Sequence, residues 1–228
     1  MIVIRNARVR ACLRAAIPLT LAALLLAVGA TAFLEQQYLL VSFAVAVLAL
    51  WLFIAAYERR QTGTRRMVIA AVMTALCVAG RLIPFFKPVA ALVVLSAIYL
   101  GAESGFLVGA LAALLSNFTF GQGPWTPFQM LAWGLIGLFA GYLSGPLKKC
   151  RPLLLLYGAA AGAAYSMIMD VWSVMWYGGG FSMELYLPAL AAALPHTALY
   201  CASNFIFLWF LAKPIGDKLE RVRVKYGV

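Results

Sequence analysis

The basic residues of this chain are spaced like the boundaries of membrane segments. All of its 18 Lys and Arg residues except Arg81 and Lys87 fall into four short clusters, and long apolar runs separate them. The first cluster is Arg5, Arg8, Arg10 and Arg14, and the second Arg59, Arg60, Arg65 and Arg66. The third is Lys148, Lys149 and Arg151, and the fourth Lys213, Lys218, Arg221, Arg223 and Lys225. Such clusters mark the cytoplasmic ends of spanning segments. At 65% hydrophobic and 11% charged, the 228 residues lie far from soluble domains, which are roughly half apolar and about a quarter charged. The expected fold is therefore an all-α integral membrane protein. A net charge of +11 does not mark a nucleic-acid binder here, because the cations sit at the ends of apolar runs and never interleave with aromatic residues in a soluble domain.

The apolar runs begin with residues 15–34, long enough to cross a hydrocarbon core of about 30 Å. A signal peptide would also carry the basic head and the Ala30-Thr31-Ala32 sequence. The run exceeds the ~7–15 residues of a signal's apolar region, so retention as a span is expected. A second span covers residues 38–57 and a third 67–85. Residues 88–117 form either one long tilted helix or two short ones divided at GAESG, where Gly101 and Gly105 flank Glu103. One helix would put the Lys148, Lys149 and Arg151 cluster outside; two helices put it inside. Two are therefore expected, with Glu103 near the start of the second, where the helix dipole favours an acid. Further spans cover residues 127–143, 153–177 and 187–211. The resulting multi-pass topology places both termini in the cytoplasm. It places three connections outside: residues 81–87, 117–126 and 178–186.

The second of these opens the stretch NFTFGQGPWTPFQM, residues 117–130, which mixes hydrogen-bonding groups with flat rings. Asn117, Gln122, Trp125 and Gln129 are candidate ligand contacts, and Arg81 stands in the first outer connection. Asp170 lies within a span, where an ionisable group is expensive and should face the bundle interior or a cavity. The alternative is a structural hydrogen bond to Tyr165, Ser166 or His196. His196, Tyr200 and Asn204 fall four residues apart, on one helical face, and suit a cavity lining; a lone histidine also serves as glue between helices. Trp172 and Trp176 share a face near Asp170, although membrane tryptophans commonly belong to an interfacial belt. Trp133 carries the same two readings as Trp125.

Metal chemistry is not expected, because His196 has no second histidine or cysteine at ligand spacing. Cys12, Cys77, Cys150 and Cys201 fall singly, without a CxxC pair, and read as packing residues. No GxSxG, HExxH or Walker A sequence occurs, so no catalytic residue, cofactor or P-loop ATPase is expected. If the chain moves a solute, a partner or an ion gradient supplies the energy.

From about Arg66 to the C-terminus the chain resembles the substrate-binding S components of energy-coupling factor (ECF) vitamin transporters. The resemblance rests on Ala71, Ala75 and Ala79, on the run from Gly80 to Phe118, and above all on FGQGPWTPFQMLAWGLIG from Phe120 to Gly137. It implies a six-helix bundle over residues 61–228; the two additional transmembrane helices expected in residues 1–60 depart from the family's minimal pattern. It implies capture of a vitamin at the outer face of the cell membrane, with three outer loops as the gate. It further implies that Ala71, Ala75 and Ala79 dock on a transmembrane T component, with which two ABC ATPases work. The GQGPWTP segment is most similar to members assigned to cobalamin uptake. Competing readings are an intramembrane enzyme using Asp170 and His196, or a self-contained ion-coupled carrier.

Overall fold

The computed structural model describes residues 64–84 and 86–226; the two N-terminal spans, Cys12, Arg59, Arg60 and the last residue of the third span lie outside them. The described elements are all helices: α1 (Thr64–Arg81), α2 (Val89–Leu100), α3 (Ala102–Phe120), α4 (Thr126–Tyr142), α5 (Ser144–Lys149), α6 (Arg151–Tyr177) and α7 (Met183–Tyr226). Of these, α3, α6 and α7 are long and apolar enough to cross a membrane, and α2 is apolar but shorter.

The expected division of residues 88–117 is present. Gly101 adopts φ 95° between α2 and α3, a left-handed value that strains residues with a Cβ, so the chain breaks there and starts a new helix with Glu103 in its first turn. At 12 residues, α2 spans only about 18 Å. It is buried almost all round, Tyr99 being its only residue with intermediate exposure. A helix apolar on every side belongs in a core, and α2 packs against α1, α3, α4 and α7.

The two most extensive pairings are α3 with α4 and α6 with α7. The first depends on a close backbone approach: a Cβ on Gly105 would meet the Gly137 carbonyl and Ala97, and one on Gly137 would meet Gly105. Small residues allow such contact, and in a membrane packing of this kind is a main source of helix association.

Three expected boundaries shift. Helix α3 continues through Asn117 to Phe120, so the second connection is only residues 121–125. The third connection is shortened to residues 178–182, because α7 begins at Met183. Helix α7 also runs far past the expected end at residue 211, to Tyr226, with Pro188, Pro195 and Pro214 inside it. Cys77 is buried and fits the packing reading, whereas Cys150 is exposed ahead of α6 and does not.

Candidate functional site

Residues 82–84 and 86–88 and the connections 121–125 and 178–182 gather at one end of the bundle. Arg81 at the end of α1 lies over Phe120 at the end of α3, with 4.6 Å from guanidinium carbon to ring centroid. Trp125 meets Trp172 of α6 edge to face, and both join a cluster that includes Phe181.

Below this end, a polar chain crosses four helices. Arg81 Nη1 donates to Ser116 Oγ at 2.5 Å and to Asn117 Oδ1 at 2.6 Å. Asn117 Nδ2 donates to Thr126 Oγ1 at 2.9 Å and to Gln129 Oε1 at 2.8 Å. Gln129 Nε2 donates in turn to the Tyr165 hydroxyl at 2.7 Å. Asn117 and Gln129 are both buried, so these bonds offset a desolvation cost that would otherwise destabilise the fold. Gln122 secures the connection itself: its Nε2 donates to the Leu114 carbonyl and its Oε1 accepts from Thr126.

The Tyr165 ring stacks on Trp133 with centroids 4.9 Å apart, and Tyr200 of α7 meets Tyr165 edge to face. Arg81, Lys87, Trp133, Gly162, Tyr165, Tyr200 and Asn204 surround a small pocket with Val89 and Ala90. Its volume is about 10 Å³, close to the minimum that holds one water molecule. Two cations and no carboxylate line it. The Tyr165 hydroxyl accepts from Gln129, and its own proton has no acceptor among the described residues.

Asn204 does a second job at this site. Its Oδ1 accepts the Ala91 amide at 2.8 Å, and its Nδ2 donates to the Tyr200 carbonyl. Pro88 precedes α2 and offers no side-chain cap. Asn204 therefore satisfies a first-turn amide of α2 from another helix.

Of the residues singled out in the sequence, Arg81, Asn117, Gln129, Tyr200 and Asn204 come together here. Trp125, Trp172 and Trp176 form an adjoining aromatic group, with Trp172 and Trp176 stacked at 5.9 Å. The Trp172 indole N–H is buried and has no acceptor among the described residues. Asp170 and His196 do not line the pocket. Of the partners suggested for Asp170, Ser166 pairs with Thr197 and Tyr165 with Gln129, while His196 lies near enough to interact with it electrostatically; Asp170 Oδ2 has no hydrogen-bond partner among the described residues.

Tyr165 and Lys87 line the pocket and Ser116 holds Arg81 without having been read as ligand contacts in the sequence, whereas Trp133 carried the same two readings as Trp125. Lys87 had a visible signal, since it and Arg81 are the only cations outside the four clusters. Away from the pocket, Ala71, Ala75 and Ala79 are exposed along one face of α1, beside the exposed Val68, Val72 and Leu76. Among the described residues, no group of three His, Cys, Asp or Glu side chains is placed to hold a metal ion.

A family model described as "ECF-type riboflavin transporter, S component" matches residues 61–214. No curated protein and no solved structure matches the chain.

Proposed function

Because the chain belongs to the family of ECF-type riboflavin transporter S components, we propose that it captures a vitamin in the Arg81 pocket and hands it to a T component driven by two ATPases. The family is one of membrane-embedded substrate-binding subunits and not of enzymes. The observation that carries the site assignment is the unbalanced charge of the pocket. Arg81 and Lys87 face it beside the Tyr165 hydroxyl, with the rings of Trp133, Tyr165 and Tyr200 as walls. Such a lining selects a flat conjugated molecule rich in hydrogen-bond acceptors. Riboflavin, named in the family's description, has that character and is the leading substrate.

Cobalamin is the second reading, and the GQGPWTP segment is what favours it. In either case the 82–88, 121–125 and 178–182 connections face outward and form the gate, both termini are cytoplasmic, and the alanine face of α1 docks on the T component. The N-terminal 60 residues are accessory to this core.

Titrating the purified protein with riboflavin, following flavin fluorescence, and separately with cobalamin, following its visible absorbance, decides between the two. Saturable riboflavin binding that Arg81→Ala weakens supports the leading reading. Cobalamin binding alone replaces riboflavin as the substrate, and binding of neither by folded protein overturns both.

A further inference from the structure

At the opposite end of the bundle lies a second cleft, about 280 Å³ in volume, bounded by the end of α2, by α5, by the start of α6 and by α7. We infer that it holds the headgroup of an anionic phospholipid. Lys148, Arg151 and Lys213 line it, Asp217 is the one acid in the lining, and Leu147 and Leu154 contribute apolar wall. The cations are arranged around a gap. Lys148 Nζ sits 4.4 Å from the Tyr99 ring centroid and 3.3 Å from Glu220 Oε2. The Arg151 guanidinium lies over the Trp209 ring at 5.0 Å and donates to the Trp209 carbonyl. Lys213 has no ion pair among the described residues.

A phosphate-bearing anion suits this charge, and the surroundings favour one attached to acyl chains. Trp209, Phe210 and Leu211 are exposed immediately before Lys213, so an apolar outer surface gives way to cations within one helical turn. That change marks a headgroup level, where tryptophan and basic residues gather. Helix length agrees: from Met183 to Lys213, α7 covers about 45 Å, the thickness of a bilayer with its headgroup regions at ~40–45 Å. Basic pockets between spanning helices on the cytoplasmic side recognise anionic headgroups. The cleft is distinct from the Arg81 pocket, which opens at the other end of α2.

The test uses the full chain, purified, delipidated and incubated with phosphatidylglycerol or phosphatidylcholine before native mass spectrometry. Phosphatidylglycerol should be retained with about a thirtyfold preference, the effect of two cations at a membrane surface. The double variant Arg151→Ala/Lys213→Ala should lose that preference. A matched removal of charge outside the cleft, Lys218→Ala/Arg221→Ala, should keep it. If the alanine pair does not fold, Arg151→Gln/Lys213→Gln is read in the same way. Equal retention of the two lipids by the wild type overturns the inference, as does an equal loss in the control variant. Displacement of the lipid by millimolar inorganic phosphate overturns the lipid assignment in favour of a free anion. Unchanged retention in the cleft variants, together with loss of T-component association, makes the cleft a protein contact and overturns it too.

Discussion

The guanidinium of Arg81 is held by Asn117, whose Oδ1 accepts its Nη1 at 2.6 Å from a side chain with no exposed surface. Asn117 can hold this orientation because Thr126 and Gln129 accept from its amide nitrogen. The cation is thereby aimed from α1 across the ends of α3 and α4, with Trp133 5.3 Å from it.

Arg81→Ala is expected to lower ligand affinity by at least about tenfold, since a hydrogen bond to a charged group contributes ~1.5–3 kcal/mol. Arg81→Lys, which keeps the charge and loses the fork, should fall between it and the wild type. Calorimetric titration of both variants checks the order, and equal affinity in all three proteins would remove Arg81 from the site.

Asn204→Ala should destabilise the fold by about 1–2 kcal/mol even without ligand, because the Ala91 amide loses its acceptor. Asn204→Asp keeps an acceptor oxygen and should cost less. Hydrogen exchange at the first-turn amides of α2 reads this directly: they should exchange faster in the alanine variant, and wild-type protection there would refute the capping role.

Gly137→Leu should be among the most damaging single changes in the bundle. Its side chain would enter the backbone of Gly105 and the side chain of Val93, and overpacking of this kind costs about 1–3 kcal/mol or more. A melting temperature unchanged from wild type would show that α3 and α4 can separate without penalty.

Ala75→Trp is expected to leave ligand affinity within about twofold, because α1 presents that position away from the pocket and exposed surface changes perturb stability little. It should sharply reduce co-purification with the T component and uptake into cells. Normal uptake by the variant would separate the alanine face from docking.

Several features were legible in the sequence because local chemistry decides them. The break at Gly101 needs a residue tolerant of positive φ, and charge spacing called for two helices at the same point. The isolation of Arg81 and Lys87 from the basic clusters pointed to the end of the bundle where the pocket lies. What stayed hidden depended on distant partners. Asn204 reaches across 113 positions to cap α2, and nothing near either residue announces it. The second outer connection was expected to begin at Asn117, a residue type whose side chain commonly competes with the helical backbone for hydrogen bonds. Its side chain is instead occupied by Arg81, Thr126 and Gln129, which leaves α3 free to continue to Phe120. The facing of Tyr165 depended on how α6 rotates against α4 and α7, which polar spacing within one helix does not determine.

The near absence of free space between Arg81, Trp133, Tyr165 and Tyr200 sets a thermodynamic condition on anything that binds there. A vitamin bound there would have to meet a widened form of the protein, and its measured dissociation constant would be the intrinsic one divided by the fraction of molecules in that form. Substitutions that prop the walls apart would therefore tighten binding without adding a contact. Those that hold the walls together would weaken it while making the empty protein more stable.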